Sequence, residues 1–178
     1  LTAVDFVSPD AGWAVGMDGT ILRTVDGGET WLPSEDETKA ALWGVAFADQ
    51  SAGYAVGEDG TILSTGDGGL GWSAQSVATS SLYGLEFVGS EVGWVVGEEG
   101  AILRTNDGGA TWQEQESGTQ ADLYAVSFVD QEVGWAVGEQ GVVVKTVNGG
   151  ATWSRRSSAT ASDLLDVDFV DKGIGWAV

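Results

Sequence analysis

Cysteine and histidine are both absent from this chain of 178 residues. The first absence excludes a disulfide framework, a thiolate metal site and a cysteine nucleophile. The second removes the commonest general base and the usual zinc ligand. Proline occurs only twice, and no apolar run is long enough to span a bilayer. No leader of charged, then apolar, then small residues stands at Leu1, so any secretion signal is expected to have been removed or to lie outside this sequence. Cations are scarce as well: 7 Lys plus Arg face 27 Asp plus Glu, a formal net charge of −20. Such a surface repels nucleic acid and anionic membranes. It suits a solvated, salt-adapted (halophilic) protein, and it also suits a basic partner or divalent cations.

What is present is a repeat. The four residues Gly12-Trp13-Ala14-Val15 return as variants beginning at Gly53, Gly93, Gly134 and Gly175, in steps of 41, 40, 41 and 41 residues. A second marker, Trp31, Trp72, Trp112 and Trp153, keeps the same beat but occurs four times rather than five. Within a period the apolar residues alternate, as where Tyr124, Val126 and Phe128 stand against Ala125 and Ser127. That is strand spacing, and no segment shows a helical period. Three further strands follow, through Trp135, through Val142 to Lys145, and from Thr152. Four short strands per period of about 40 residues define a β-propeller blade. The expected fold is therefore all-β, with antiparallel four-stranded blades at about 1–41, 42–81, 82–122 and 123–163, innermost strand first, and half a blade at 164–178.

Between third and fourth strands each repeat carries one motif, first read as Thr24-Val25-Asp26-Gly27-Gly28-Glu29-Thr30-Trp31. Its key positions are Thr24, Asp26, Gly28 and Trp31, then Thr65, Asp67, Gly69 and Trp72, then Thr105, Asp107, Gly109 and Trp112, then Thr146, Asn148, Gly150 and Trp153. An Asp side chain here accepts bonds from amides of its own turn, glycine permits the reversal, and tryptophan packs the hairpin on the blade. Asn148 keeps the acceptor and loses the charge, which favours a structural role over a metal site. This hairpin resembles the Asp-box of bacterial-neuraminidase-type (BNR) repeats.

The whole unit, from Gly-Trp-Ala-Val-Gly through Gly-Thr-Ile-Leu-Arg-Thr to Asp-Gly-Gly-x-Thr-Trp, resembles the photosystem II assembly and stability factor family of propellers. The resemblance covers the chain and implies a propeller that acts as a chaperone-like scaffold. The photosynthetic branch of that family is associated with a basic patch, which this sequence lacks: only Arg23 and Arg104 sit on equivalent third strands, where blades two and four have Ser64 and Lys145.

Eight of the nine tryptophans fall on the two markers and are expected in the core; Trp43 stands apart, in a column with Thr2, Tyr83, Tyr124 and Leu165. The turns between second and third strands align Met17, Glu58, Glu98 and Glu139, with Asp18, Asp59, Glu99 and Gln140 beside them. These form an acidic rim, and Asp18, Glu58, Asp59, Glu98, Glu99 and Glu139 are the candidate binding residues, for a basic protein surface or for calcium. A further column, Asp5, Ala46, Glu86, Ser127 and Asp168, is a candidate lining of a central channel.

No catalytic residue, metal site or cofactor is assigned. Sialidase chemistry needs an arginine cluster and a Tyr-Glu pair, and four arginines, two of them adjacent, do not match it. Xyloglucan-cleaving propellers use two carboxylates across a cleft, and no single pair stands out among the 27 acidic residues. The expected function is extracytoplasmic, non-catalytic protein binding or scaffolding, with no nucleic acid and no membrane insertion. A fragment of a carbohydrate-active Asp-box enzyme and a subunit of a surface layer or filament are the alternatives. Because the two markers are unequal in number, the chain is expected to belong to a longer polypeptide whose further blades complete a ring of roughly six to eight.

Overall fold

The computed structural model describes residues 1–34, 38–78 and 80–178. It is built of antiparallel sheets, with no α-helix among the described residues. The first sheet runs β1 (Ala3–Phe6), β2 (Gly12–Val15), β3 (Ile21–Thr24) and β4 (Leu32–Pro33). The second runs β5 (Leu42–Phe47), β6 (Gly53–Gly57), β7 (Thr61–Thr65) and β8 (Ser73–Ser76). The third comprises β9 (Leu82–Val88), β10 (Val92–Gly97), β11 (Ile102–Thr105) and β12 (Gln113–Glu114). The fourth comprises β13 (Leu123–Phe128), β14 (Gly134–Gly138), β15 (Val143–Thr146) and β16 (Ser154–Arg156), and β17 (Val167–Phe169) pairs with β18 (Gly175–Ala177). Each four-stranded sheet pairs its strands in chain order, as an up-and-down propeller blade does. No helix among the described residues is long and apolar enough to cross a membrane.

The chain divides into two compact units, Leu1–Leu82 and Tyr83–Val178. In the first, the core lies between blades 1 and 2: Trp13, Val15 and Ile21 pack on Leu42, Val45, Phe47 and Leu63. In the second, Trp94, Val96 and Ile102 pack on Leu123, Val126, Phe128 and Val144 in the same way, and Ala125 and Val137 meet Leu164 and Val167 of the last pair. Packing between blades, rather than within one sheet, therefore buries the apolar strand faces.

The recurring Gly-Trp has a direct steric cause. In the register, Phe6 is opposite Gly12, Phe47 opposite Gly53, Phe128 opposite Gly134 and Phe169 opposite Gly175. A Cβ at Gly12 would lie 2.7 Å from the Phe6 ring, and one at Gly93 would lie 2.6 Å from that of Phe87. Only glycine lets the ring lie over the neighbouring strand. The tryptophan beside it then stacks on the next blade's phenylalanine: Trp13 on Phe47 at 3.5 Å and 9°, Trp94 on Phe128 at 3.5 Å and 11°, Trp135 on Phe169 at 3.6 Å and 2°. The second-marker tryptophan meets its own blade's phenylalanine edge-on, as Trp72 meets Phe47 at 5.8 Å and Trp153 meets Phe128 at 5.9 Å. Each such pair contributes about 0.5–1.5 kcal/mol beyond the area it buries.

Candidate functional site

The Asp-boxes are closed hydrogen-bond circuits. Asp26 Oδ1 accepts from the Thr30 amide at 2.9 Å and from Thr24 Oγ1 at 2.7 Å, while Thr30 Oγ1 donates to Asp26 Oδ2 at 2.5 Å. Thr24 Oγ1 in turn accepts from the Gly28 amide at 2.9 Å. Asp107 repeats the circuit with Thr105 and Thr111. Asp67, whose box has Gly71 in place of that threonine, accepts from the Leu70 and Gly71 amides, both at 3.0 Å, and from Thr65. Asn148 accepts from the Thr152 amide at 3.0 Å and donates through Nδ2 to Thr152 Oγ1. The Thr30 hydroxyl, then its amide and the Thr24 hydroxyl, hold the Asp26 carboxyl down at about 2. Thr111 does the same in direction for Asp107, as the Gly71 amide does for Asp67.

The boxes also receive the preceding blade. Trp13 Nε1 donates to the Gly68 carbonyl at 2.9 Å, and Trp94 Nε1 to the Gly149 carbonyl at 3.2 Å. Third-strand cations lie over second-strand tryptophans: Arg104 is 5.6 Å from the Trp94 ring and Lys145 is 4.3 Å from the Trp135 ring.

At the acidic turns the backbone takes left-handed φ at a non-glycine residue in every blade, namely Asp18 (56°), Asp59 (52°), Glu99 (55°) and Gln140 (54°). The glycine that follows, such as Gly19 at 69°, is left-handed too. This φ pattern is that of the type I′ hairpin favoured by Asp-Gly pairs. Several rim groups face their own framework. Glu58 Oε2 accepts from the Ala41 amide at 3.1 Å. The amides of Glu99 and Gln140 donate to Asp122 and Asp163 of the following blade links, at 2.9 and 2.8 Å. Glu139 accepts from Gln140 Nε2 at 3.1 Å.

Above this rim in the second unit stand Tyr83 and Tyr124, ring centroids 5.6 Å apart. Burial raises both phenols. The charges of Asp122 and Glu98 add to the shift of Tyr83, and those of Asp163, Asp122 and Glu139 to that of Tyr124. Tyr124 and Trp43 sit at register shifts in β13 and β5, where a bulge re-aims a side chain. Asp122 and Asp163 were not legible as rim residues, because they lie outside the hairpins that define the rim in sequence. No three acidic residues gather as a metal-holding group among the described residues.

The column read as channel lining joins neighbouring blades. Asp5 Oδ2 accepts from the Phe47 amide at 2.7 Å, Glu86 Oε2 from the Phe128 amide at 2.5 Å, and Ser127 Oγ from the Phe169 amide at 3.1 Å. Burial, with a smaller contribution from the Asp168 charge, pushes the Glu86 carboxyl up to about 7.

One concavity is lined by no residue of the rim. Between blade 1 and the Asp-box of blade 2 lies a groove of about 270 Å³, lined by Arg23, Val25, Leu32, Pro33, Ser34 and Leu70 among others. Val25, Leu32 and Leu70 are 57%, 65% and 64% exposed.

Up-and-down four-stranded blades joined through Asp-boxes define this chain as an Asp-box β-propeller. The family model of the photosynthesis system II assembly factor YCF48 matches residues 34–113, 77–160 and 110–178, and the chain belongs to that family. A structure of YCF48 bound to D1 peptide is 26% identical over 99% of this chain, with a TM-score of 0.78; this chain spans 59% of that one. YCF48 from Cyanidioschyzon merolae, 18% identical with a TM-score of 0.58, is covered to 91% by 99% of this chain. An ancestral GH74 enzyme shares the fold at 18% identity and a TM-score of 0.72, over 88% of this chain and 24% of its own. No curated protein matches the chain in sequence.

Proposed function

We propose that this chain is a non-catalytic, extracytoplasmic propeller that binds a segment of a client protein and holds it during assembly. The observation that carries the reading is its 26% identity, over 99% of its length, to a YCF48 structure that holds a D1 peptide. The geometry supports it. The Asp-box carboxylates are engaged with their own turns, and the inner-column acceptors are engaged with the next blade. Side chains so engaged build a rigid frame that presents surfaces, and binding sites are held best on rigid elements. A net charge of −20 steers a client with basic segments toward the acidic turns around Asp59, Glu99 and Glu139 and speeds its encounter. The same charge suits a salt-rich environment. The likeness to the GH74 enzyme is one of fold alone, and fold does not carry chemistry.

The test is affinity isolation with the immobilised chain from extracts of its source cells, fractionated by compartment. A saturable extracytoplasmic protein partner, displaced by free chain and weakened by salt, is expected. Turnover of xyloglucan or sialosides without any such partner would contradict the reading.

A further inference from the structure

The interfaces between blades 1 and 2 and between blades 3 and 4 are built to one plan but filled differently. Counting from the second-marker tryptophan, Ser34 corresponds to Gln115. Gln115 reaches across to the next Asp-box: its Nε2 donates to the Gly149 carbonyl at 3.4 Å, and its Oε1 accepts from Trp153 Nε1 at 3.4 Å. Ser34, with a side chain three heavy atoms shorter, donates instead to the Gly69 carbonyl, one residue beyond the counterpart of Gly149. Ser34 and Gly69 line a groove of about 270 Å³ at this interface, at the positions where Gln115 packs on Gly150 in the other.

The walls differ in character as well. Leu32, Pro33, Val25 and Leu70 of the groove correspond to Gln113, Glu114, Asn106 and Ala151 at the other interface. Three of the four exchanges replace a polar group by an apolar one, and the fourth replaces alanine by leucine. Open water is a poor solvent for such a cluster, and a ligand that covers it gains the hydrophobic contact. β4 lies at the edge of its sheet, with no strand beyond it among the described residues. At one wall stands Arg23, a cation in a strongly acidic molecule, whose Nε, like that of Arg104 at the other interface, is buried without a hydrogen-bond partner.

We infer that the groove between β4 and the Leu70 Asp-box binds an extended peptide segment in which an apolar side chain stands next to an Asp or Glu. The apolar side chain sits between Leu32 and Leu70, and the carboxylate pairs with Arg23. This rests on the protein-binding reading and locates one of its contacts away from the acidic turns. The charge complementarity is local: Arg23 meets a carboxylate, which the rest of the surface disfavours, so the groove selects for sequence rather than for net charge.

The experiment is fluorescence anisotropy of the whole chain with blocked, labelled heptapeptides in which two leucines flank Glu, Gln or Lys. The Glu peptide is expected to bind best. Ser34→Gln, which narrows the groove with the side chain that stands there at the other interface, and Leu70→Glu should each weaken it at least about tenfold. Arg23→Gln should remove the preference for Glu over Lys. Every substituted side chain is at least partly exposed, and unchanged circular dichroism and melting temperature check the fold. If the Glu peptide binds Ser34→Gln and Leu70→Glu as tightly as the unaltered chain, the groove assignment is overturned and protein binding stands. Binding confined to the Lys peptide overturns the groove in favour of the acidic turns. Binding of none of the peptides overturns the groove, and the protein-binding reading falls separately only if the client isolation also fails.

Discussion

The interface of blades 1 and 2 in the first compact unit and that of blades 3 and 4 in the second share what holds them and differ at one edge. Both stack a second-strand tryptophan on the next phenylalanine at 3.5 Å, and both tie that tryptophan to an Asp-box carbonyl. Both also clasp the next first strand with an acceptor, Asp5 in one and Glu86 in the other. Only the edge differs, with Gln115 closing one and Ser34 opening the other. The repeat thus fixes the frame, and departures from the repeat make the surfaces that distinguish one side of the molecule from another.

The shared frame should be the costliest part to break. Trp94 is fully buried, and Trp94→Ala is expected to lose about 3–5 kcal/mol in denaturant unfolding, from lost transfer energy and the cavity left behind. Trp13→Ala should cost about as much, since the two rings are equivalent; a marked inequality would break the comparison.

The clasp sharpens it through pH. Glu86, ordinarily near 4.5, is raised to about 7 by burial, so the folded chain holds its proton more tightly than the unfolded chain. Its stabilising contribution is full below 4.5 and is lost as the pH rises through 7, a change of roughly 3 kcal/mol at most. Glu86→Gln keeps the acceptor for the Phe128 amide and should flatten this slope, gaining on the unaltered chain at pH 8. An unchanged slope would remove Glu86 from the account.

Smaller effects follow from charge. Screening of a net charge of −20 should raise the melting temperature between dilute buffer and molar potassium chloride. A flat or falling curve would remove the salt-adaptation argument. In the Asp-boxes the fourth blade supplies its own control. Because Asn148 makes the same turn bond as Asp107, Asp107→Asn should leave the melting temperature nearly unchanged at pH 7, whereas Asp107→Ala should lower it. The depressed Asp26 and Asp107 carboxyls contribute stability above their ordinary value near 3.8, and it is lost as the pH falls below that value, for Asp26 through about 2; the Asn148 box lacks this loss.

Much of this frame was legible in the sequence because a repeat prints each contact several times. The Gly-Trp marker, the alternation and the Asp-box each recur at a fixed interval, so four-stranded sheets followed from counting. The partners of those residues were less legible. Nothing in one period says that Asp5 bonds an amide 42 residues on, or that Asp122 meets Glu99 across a blade link. The groove was the least visible. It is lined by one short side chain, Ser34, bonded to an Asp-box 35 residues away, and by apolar residues such as Leu32 and Pro33 at positions that are polar in the third blade. A repeat-by-repeat reading averages such differences out.

The most direct test of the account is a crystal structure of the chain with the leucine-flanked Glu peptide bound. The account predicts an extended segment along β4, a leucine between Leu32 and Leu70, and the glutamate carboxylate on the Arg23 guanidinium. A peptide seated instead against Gln113 and Glu114, or on the turns around Glu99 and Glu139, would contradict it.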